Sequence, residues 1–311
     1  MERFLVTGAL GCLGAWTALR LLDGGHGVVG ADVGADTGRL RLVLGGRLEE
    51  VTLAHGDVTD LPALVRLLDE HEITRVVHLA ALQVPFCREH PPHGAAVNVV
   101  GTVNVLEAVR RRRDRVRGLV YASSIAVYGP EDAGGEHERS RPDTHYGVTK
   151  VANEASARIY WQDEGLASVG LRPHTVYGAG RDQGVTSAPT QAMLAAARGE
   201  PFHIPWGGHS RYHHARDVAD AFVAAALAGL DGARVYTLPA ERLHMRDVVA
   251  AIEAAAPASA GAITFDDVPL PFPDELEAGT FADEVAALDW TPLADGARET
   301  IEHFRRIAAP A

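Results

Sequence analysis

Short apolar runs alternate with stretches of helical periodicity along the first half of this chain. "RFLVTG" reads as a strand, and Leu13 to Leu22 as a helix. "GVVGAD" is a second strand ending at Asp32, and "LEEVTLAHGDV" holds a third ending near Asp57. "LPALVRLLDEH" is helical, "RVVHLAA" a strand, and a long helix follows from about Ala95 to Arg112. "GLVYASS" is the next strand, then a loop rich in Gly, Asp and Glu, a helix from Tyr146 to about Glu164, and the strand "ASVGLRP". Strands at this rhythm, each followed by a helix, predict right-handed crossovers and a doubly wound parallel α/β sheet. Past Gly178 the rhythm breaks. Residues 1–178, with 209–233 returning to them, are expected to form the sheet domain. Residues 179–208 and 234–311 are expected to form a smaller C-terminal substrate lobe over the carboxyl ends of the strands.

Composition narrows the partners. The chain has 311 residues, 47% hydrophobic and 23% charged, enough for a large core. Its formal net charge of −12 argues against general binding of nucleic acid or anionic membrane, which needs a basic footprint. The basic run "RRRRDRVR" at Arg110 to Arg117 reads as the solvated C-terminal end of a helix, where cations suit the dipole. Two cysteines, Cys12 and Cys87, make neither a disulfide framework nor a metal spacing, so a cytoplasmic setting and no metal are expected. "MERFLVTGAL" enters a strand at once, so no signal peptide is expected. No stretch reaches the roughly 20 apolar residues of a membrane span.

The first chemical motif is "TGALGCLG", Thr7 to Gly14. Gly8, Gly11 and Gly14, with Leu10, Cys12 and Leu13 among them, follow a strand and open a helix. Glycine is needed where backbone turns sharply or approaches a pyrophosphate, and the helix N-terminus offers N–H donors to that anion. Asp32 ends the second strand about 20 residues on, where a carboxylate accepts bonds from adenosine-ribose hydroxyls. It would repel a 2′-phosphate, so NAD is expected over NADP. Asp57 and Val58 in "GDV", and Leu79, Ala80 and Ala81 in "HLAA", lie at or past strand ends, where open parallel sheets bind ligands. Asn98 lies on a helix, and His78 reads as a core or strand-end histidine. Ser123 and Ser124 end the strand "YASS", about 22 residues before Tyr146 within the same crossover unit. In "HYGVTK", Tyr146 and Lys150 are four residues apart, so on a helix they share a face.

Together "TGALGCLG", "GDV", "HLAA", "NVVGTVNVLEA", "SSIAVYG", "YGVTK", "LRPHTVYG" and "RDVADA", in this order, resemble the extended short-chain dehydrogenase/reductases. The likeness is to the branch of UDP-galactose 4-epimerase and related sugar epimerases and dehydratases, and it covers nearly the whole chain. It implies a Rossmann sheet, NAD, and a Ser124–Tyr146–Lys150 catalytic set. Ser124 is preferred to Ser123 because the family's serine stands four residues before the tyrosine of its "VYG", here Tyr128. By resemblance Lys150 also holds the nicotinamide ribose, and a cation beside a phenol is expected to lower its pKa. Pro173 and Val176 are implied cofactor contacts. A homodimer through a four-helix bundle, built from the helices at Ala95–Arg112 and Tyr146–Glu164, is also implied.

The resemblance also sorts the chemistry. The 4,6-dehydratases carry an Asp-Glu pair directly after the catalytic hydroxyl residue, and the fucose-type epimerase-reductases a cysteine. Here Ile125 and Ala126 stand in those places. Redox at one secondary hydroxyl remains: epimerisation of a sugar or sugar nucleotide through a transient ketone, or net dehydrogenation of a free sugar or sugar acid. A catalytically silent NAD sensor is a third reading. Substrate candidates are Gln83, Ser123, Ser124, Thr175, Arg181, Trp206 and Arg211. Trp206 takes the place of an aromatic beside the base. Arg181 or Arg211 would meet a diphosphate, although Ser210 occupies the usual arginine position seven residues before Asp217 and Arg211 comes one later. His213 and His214 read as structural.

Overall fold

The structure is a computed structural model, and it describes residues 1–130, 140–273, 276 and 279–308. The Gly-, Asp- and Glu-rich loop expected before Tyr146 falls largely on 131–139, outside the described residues. Six strands alternate with helices in the first 172 residues: β1 (Arg3–Thr7), β2 (Gly27–Asp32), β3 (Val51–His55), β4 (Arg75–His78), β5 (Gly118–Ala122) and β6 (Ser168–Arg172). The helices between them are α1 (Cys12–Asp23), α2 (Gly38–Leu44), α3 (Leu61–Glu70), α4 (Val84–Glu89), α5 (Pro91–Ala95), α6 (Gly101–Arg110) and α7 (His145–Glu164). The strands pair in parallel in the order β3-β2-β1-β4-β5-β6, so the strand order reverses beside β1, where such sheets bind dinucleotides.

The expected lobe boundary at residue 234 is corrected here. A seventh strand, Ala233–Thr237, adds in parallel beside β6 over Ser168 to Arg172. Its Tyr236 and Thr237 are buried, so these residues complete the main sheet. The sequence past β6 also contains more regular structure than its pattern suggests, as β7 (Thr175–Tyr177), β8 (Phe202–Ile204), β9 (His209–His214), β10 (Ala233–Thr237), β11 (Arg242–His244) and β12 (Ile263–Phe265). Strands β11, β9 and β7 form a small mixed sheet, and β12 pairs with β8. Helices α8 (Ala188–Arg198), α9 (Ala215–Leu227), α10 (Met245–Ala255), α11 (Phe281–Glu284) and α12 (Leu293–Ala308) complete the order.

The core follows from the alternation. Phe4 and Val6 of β1 face the layer of α1 and α9, with Leu21 and Phe222 fully buried there. Leu5, pointing the other way, joins Leu64, Leu68, Val105 and Leu106 of α3 and α6. A separate cluster of Met193, Ile204, Trp206, Val248, Ile252 and Ile301 holds the lobe together. Caps set the helix ends that matter for the site. Thr144 caps α7 by accepting the Gly147 N–H at 3.0 Å, and Gly165 ends it in the left-handed conformation. Between α5 and α6 the helix takes one π turn, Ala96–Val100. The arginine run is tied down: Arg110 and Arg111 bond Glu107, Arg112 and Arg115 bond Asp69, and Arg117 bonds Glu2. Among the described residues no helix is long and apolar enough to cross a membrane.

Candidate active site

A cleft of about 730 Å³ runs along the carboxyl ends of the strands. At one end it is lined by the β1–α1 turn. Gly8 has φ +70°, and a Cβ there would meet the Ala80 backbone at 2.7 Å. At Gly14 a Cβ would lie 2.3 Å from the Gly8 carbonyl oxygen. These two positions let α1 start against the turn with its first backbone donors facing the cleft, and no side chain caps them. That is a cradle for a pyrophosphate. Asp32 stands beside it at the end of β2. Its carboxylate accepts from Leu10 N at 3.1 Å and Gly34 N at 3.0 Å, bracing the turn from the ribose side. Leu10, Gly11, Cys12, Leu13, Asp57, Val58, Leu79, Ala80 and Ala81 line the same half. Asp57 accepts the Thr59 N–H and hydroxyl at 2.8 Å, which holds its carboxyl below the usual range.

At the other half, β5 ends in Ser123 and Ser124, and α7 brings Tyr146 and Lys150. Tyr146 and Ser124 line the same end of the cleft, and the Ser124 hydroxyl is near enough to the phenol to lower its pKa. Lys150 is 2% exposed. It donates to the Ala122 carbonyl at 2.7 Å, and its Nζ lies 5.3 Å from the Tyr146 ring centre. Burial lowers Lys150 to about 8 against the opposing charges of Cys87 and Glu154. Burial pushes the Tyr146 phenol up to about 12, with the Ser124 hydroxyl and then the Arg181 charge pulling it down. This corrects the expected electrostatics. In the free protein Lys150 faces the ring and the Ala122 carbonyl, and desolvation outweighs Ser124 and the Arg181 charge at the phenol. Any further positive charge beside the ring lowers its pKa.

Three expected site residues do not line the cleft. Asn98 is fully buried in the π turn. Its side-chain oxygen accepts the Leu82 N–H at 2.7 Å and its amide nitrogen donates to the Leu82 carbonyl at 2.9 Å, so it holds the loop that does line the cleft. Trp206 packs inside the lobe core, stacked on Tyr212, because its strand-end turn faces α8 and α10. Arg211 donates to the carbonyls of Ala240 and Leu276, which turns its guanidinium to backbone rather than ligand. Ser123 reaches the cleft wall, but its hydroxyl is given to Glu154. Gln83, Thr175, Arg181, Pro173 and Val176 all line the cleft. Arg181 donates to Thr186 Oγ1 at 3.0 Å, while its buried Nε has no partner among the described residues. His78 bridges Thr7 and Thr102 in the core, and burial lowers it to about 3. His213 bonds Pro239 O, and His214 caps α9.

Sequence pattern misses several lining residues. Arg39 reaches the Leu10 carbonyl and pairs with Asp182 at the ribose end. His174 is held neutral by burial and by the nearby His213 and Arg211 charges. Phe272 comes from a proline-rich stretch without periodicity. Arg39 and Phe272 belong to no motif, His174 lies inside "LRPHTVYG" without standing out there, and only the fold brings them to one place.

The pattern of the NAD dependent epimerase/dehydratase family matches residues 4–238. The chain belongs to that family. Its cofactor is NAD, and the glycine cradle and Asp32 fit that group. The UDP-glucose 4-epimerase of Mycolicibacterium smegmatis is 34% identical over 97% of this chain and 98% of its own length. UDP-glucuronate 4-epimerase 1 of Arabidopsis thaliana is 35% identical over 73% of this chain and 54% of its own. The UDP-glucose 4-epimerase of Thermus thermophilus, solved with NAD, superimposes with a TM-score of 0.74 at 28% identity, covering 98% of this chain and 99% of that one. An L-threonine dehydrogenase from Clostridium difficile has a TM-score of 0.83 over 99% of this chain and 98% of its own, but 19% identity. It shares the fold alone, and one fold hosts several chemistries.

Proposed function

We propose that this enzyme epimerises a sugar nucleotide at a secondary carbinol carbon. The observation that carries this reading is the Ser124–Tyr146 hydroxyl pair, with Lys150 one turn along α7, at the far end of the cleft from the glycine cradle. NAD, when bound, supplies the acceptor and donor of hydride. Tyr146 takes the hydroxyl proton and returns it. Ser124 holds the same oxygen, and Lys150 turns its ammonium to the nicotinamide ribose. Net epimerisation requires the keto sugar to present its other face before hydride returns. Ile125 and Ala126 offer no further acid or base beside Ser124, which fits redox without elimination of water. Arg181, whose side chain has no acidic partner among the described residues, is the cation we assign to the diphosphate.

The test uses UDP-glucose and UDP-glucuronate with the holoenzyme. Chromatography should show the 4-epimer of one of them with no accumulation of NADH. Steady NADH release without an epimer would favour the dehydrogenase reading.

Asp32 sets the cofactor. NAD is expected to bind at least tenfold more tightly than NADP, an effect of about 1.4 kcal/mol, because the 2′-phosphate would meet a carboxylate. Replacing Asp32 by Ser should narrow that gap, since Arg39 already lines the same end. Titration of both cofactors by fluorescence measures it, and equal wild-type affinities would refute the assignment.

The assembly we propose is a C2 dimer. Val148 and Ile159 of α7 are three turns apart on one face and remain 54% and 43% exposed. Val100 and Phe86 are also exposed on the neighbouring helices. Pairing this face with its twofold copy would bury them. Light scattering at micromolar concentration should give twice the 33.1 kDa chain mass, and a monomer there would exclude the bundle. Two free cysteines, one buried, support a reducing cytoplasmic setting for it.

A further inference from the structure

Behind Ser124 lies a buried ionic network that the proposed proton transfer does not use. Glu154 stands one turn beyond Lys150 on α7. Its carboxylate takes the Arg172 guanidinium with two prongs, Nε to Oε1 at 2.7 Å and Nη2 to Oε2 at 2.6 Å. Arg172 ends β6 and is 5% exposed. Its remaining arm donates to the Tyr128 hydroxyl, and Ser123 donates its own hydroxyl to Glu154. One ion pair therefore ties the ends of β5 and β6, the turn after Ser124, and α7.

Such a pair is an expensive way to hold a core together, since desolvation offsets most of its attraction and apolar side chains would do as well. Its value is directional. Ser124 has extended backbone, φ −167° and ψ 153°. In extended chain, consecutive side chains leave on opposite sides. Fixing Ser123 on one side thus aims Ser124 to the other, toward Tyr146.

We propose that Glu154 is a positioning residue, which through Ser123 and Arg172 fixes the Ser123–Ser124 peptide so that Ser124 presents its hydroxyl to Tyr146. This rests on the catalytic assignment of Ser124 above. Ser123 then contributes to catalysis from behind the site, without touching substrate.

The experiment compares Ser123→Ala, Ser123→Thr, Glu154→Gln and the Ser123→Ala/Glu154→Gln double variant, with UDP-glucose as probe. Ser123→Ala removes one hydroxyl and should lower kcat by about ten- to a hundredfold, the order expected for a misplaced group. KM and NAD affinity should stay within about twofold of wild type, since neither depends on the aim of one hydroxyl. Ser123→Thr keeps the donor and should retain activity. Glu154→Gln leaves Arg172 buried without its counter-charge and should lose stability as well, so Ser123→Ala is the deciding variant. The double variant should be no slower than the slower single, as expected for members of one network. More than half of wild-type kcat in Ser123→Ala, or a parallel loss of kcat, KM and NAD affinity, would overturn the proposal. A crystal structure of Ser123→Ala with the Ser124 hydroxyl unmoved relative to Tyr146 would do so without any substrate. If wild-type enzyme leaves UDP-glucose untouched, the choice of that substrate fails, and the crystallographic arm still decides the positioning role.

Discussion

Tyr146→Phe should lower turnover by about two to four orders of magnitude, the usual worth of a positioned acid–base group, while folding and NAD affinity stay near wild type. The substitution keeps the ring and removes one oxygen. That oxygen stands beside Ser124 at the end of the cleft, so its loss removes the proton acceptor and leaves the packing of α7 intact. The competing idea is a packed ring beside a solvated amine, which predicts near-normal rates. Lys150 does not fit that idea: it is 2% exposed and bonded to the Ala122 carbonyl. Turnover with the substrate found above, a thermal melt and an NAD titration measure the three quantities together. Retention of more than about a tenth of wild-type turnover, far above the loss expected for a general base, would remove Tyr146 from the mechanism.

What the sequence reveals of this site divides along the range of the interactions. The glycine turn, Asp32 and the Tyr146–Lys150 pair are local: each motif sits on one strand end or one helix, and its spacing carries its geometry. Asp32 can be placed because β2 is a buried run that stops there. Trp206 and Arg211 cannot be placed by position in a motif. Their directions depend on the lobe core around Trp206 and on the Ala240 and Leu276 carbonyls that hold Arg211, which come together only in the folded chain. The strand Ala233–Thr237 escapes its sheet on paper for the same reason. Its sequence shows a short apolar strand, but only its partner β6, more than 60 residues earlier, assigns it to the main sheet. The electrostatics of Tyr146 are hidden for a different reason. A Tyr–Lys spacing shows that two groups can meet, and it carries no information on how much water each has lost.

Gly147→Ala should cut turnover by about a hundredfold or more, as large a loss as a 1 Å misplacement produces, although the residue carries no chemistry. Gly147 follows Tyr146 in the first turn of α7 and faces the short turn Ile125–Val127, which begins at Ser124. A Cβ there would lie 2.1 Å from the Ala126 carbonyl oxygen and 2.7 Å from Pro142 Cβ. Contacts under 3.0 Å are not tolerated, and the nearest obstacle is backbone rather than a flexible side-chain end. The helix must therefore move off the turn by about 1 Å, and that movement separates Tyr146 from Ser124. Two effects on stability oppose each other. Alanine is the better helix former by about 1 kcal/mol, while overpacking costs about 1–3 kcal/mol. Because the clash is with backbone, overpacking should win, and the melting temperature should fall along with kcat. Melting and steady-state rates on the same preparation decide it. A variant that melts higher than wild type and keeps its turnover within about twofold would show that helix propensity outweighs the contact, and that the closeness of α7 to the Ser124 turn does not set the catalytic geometry.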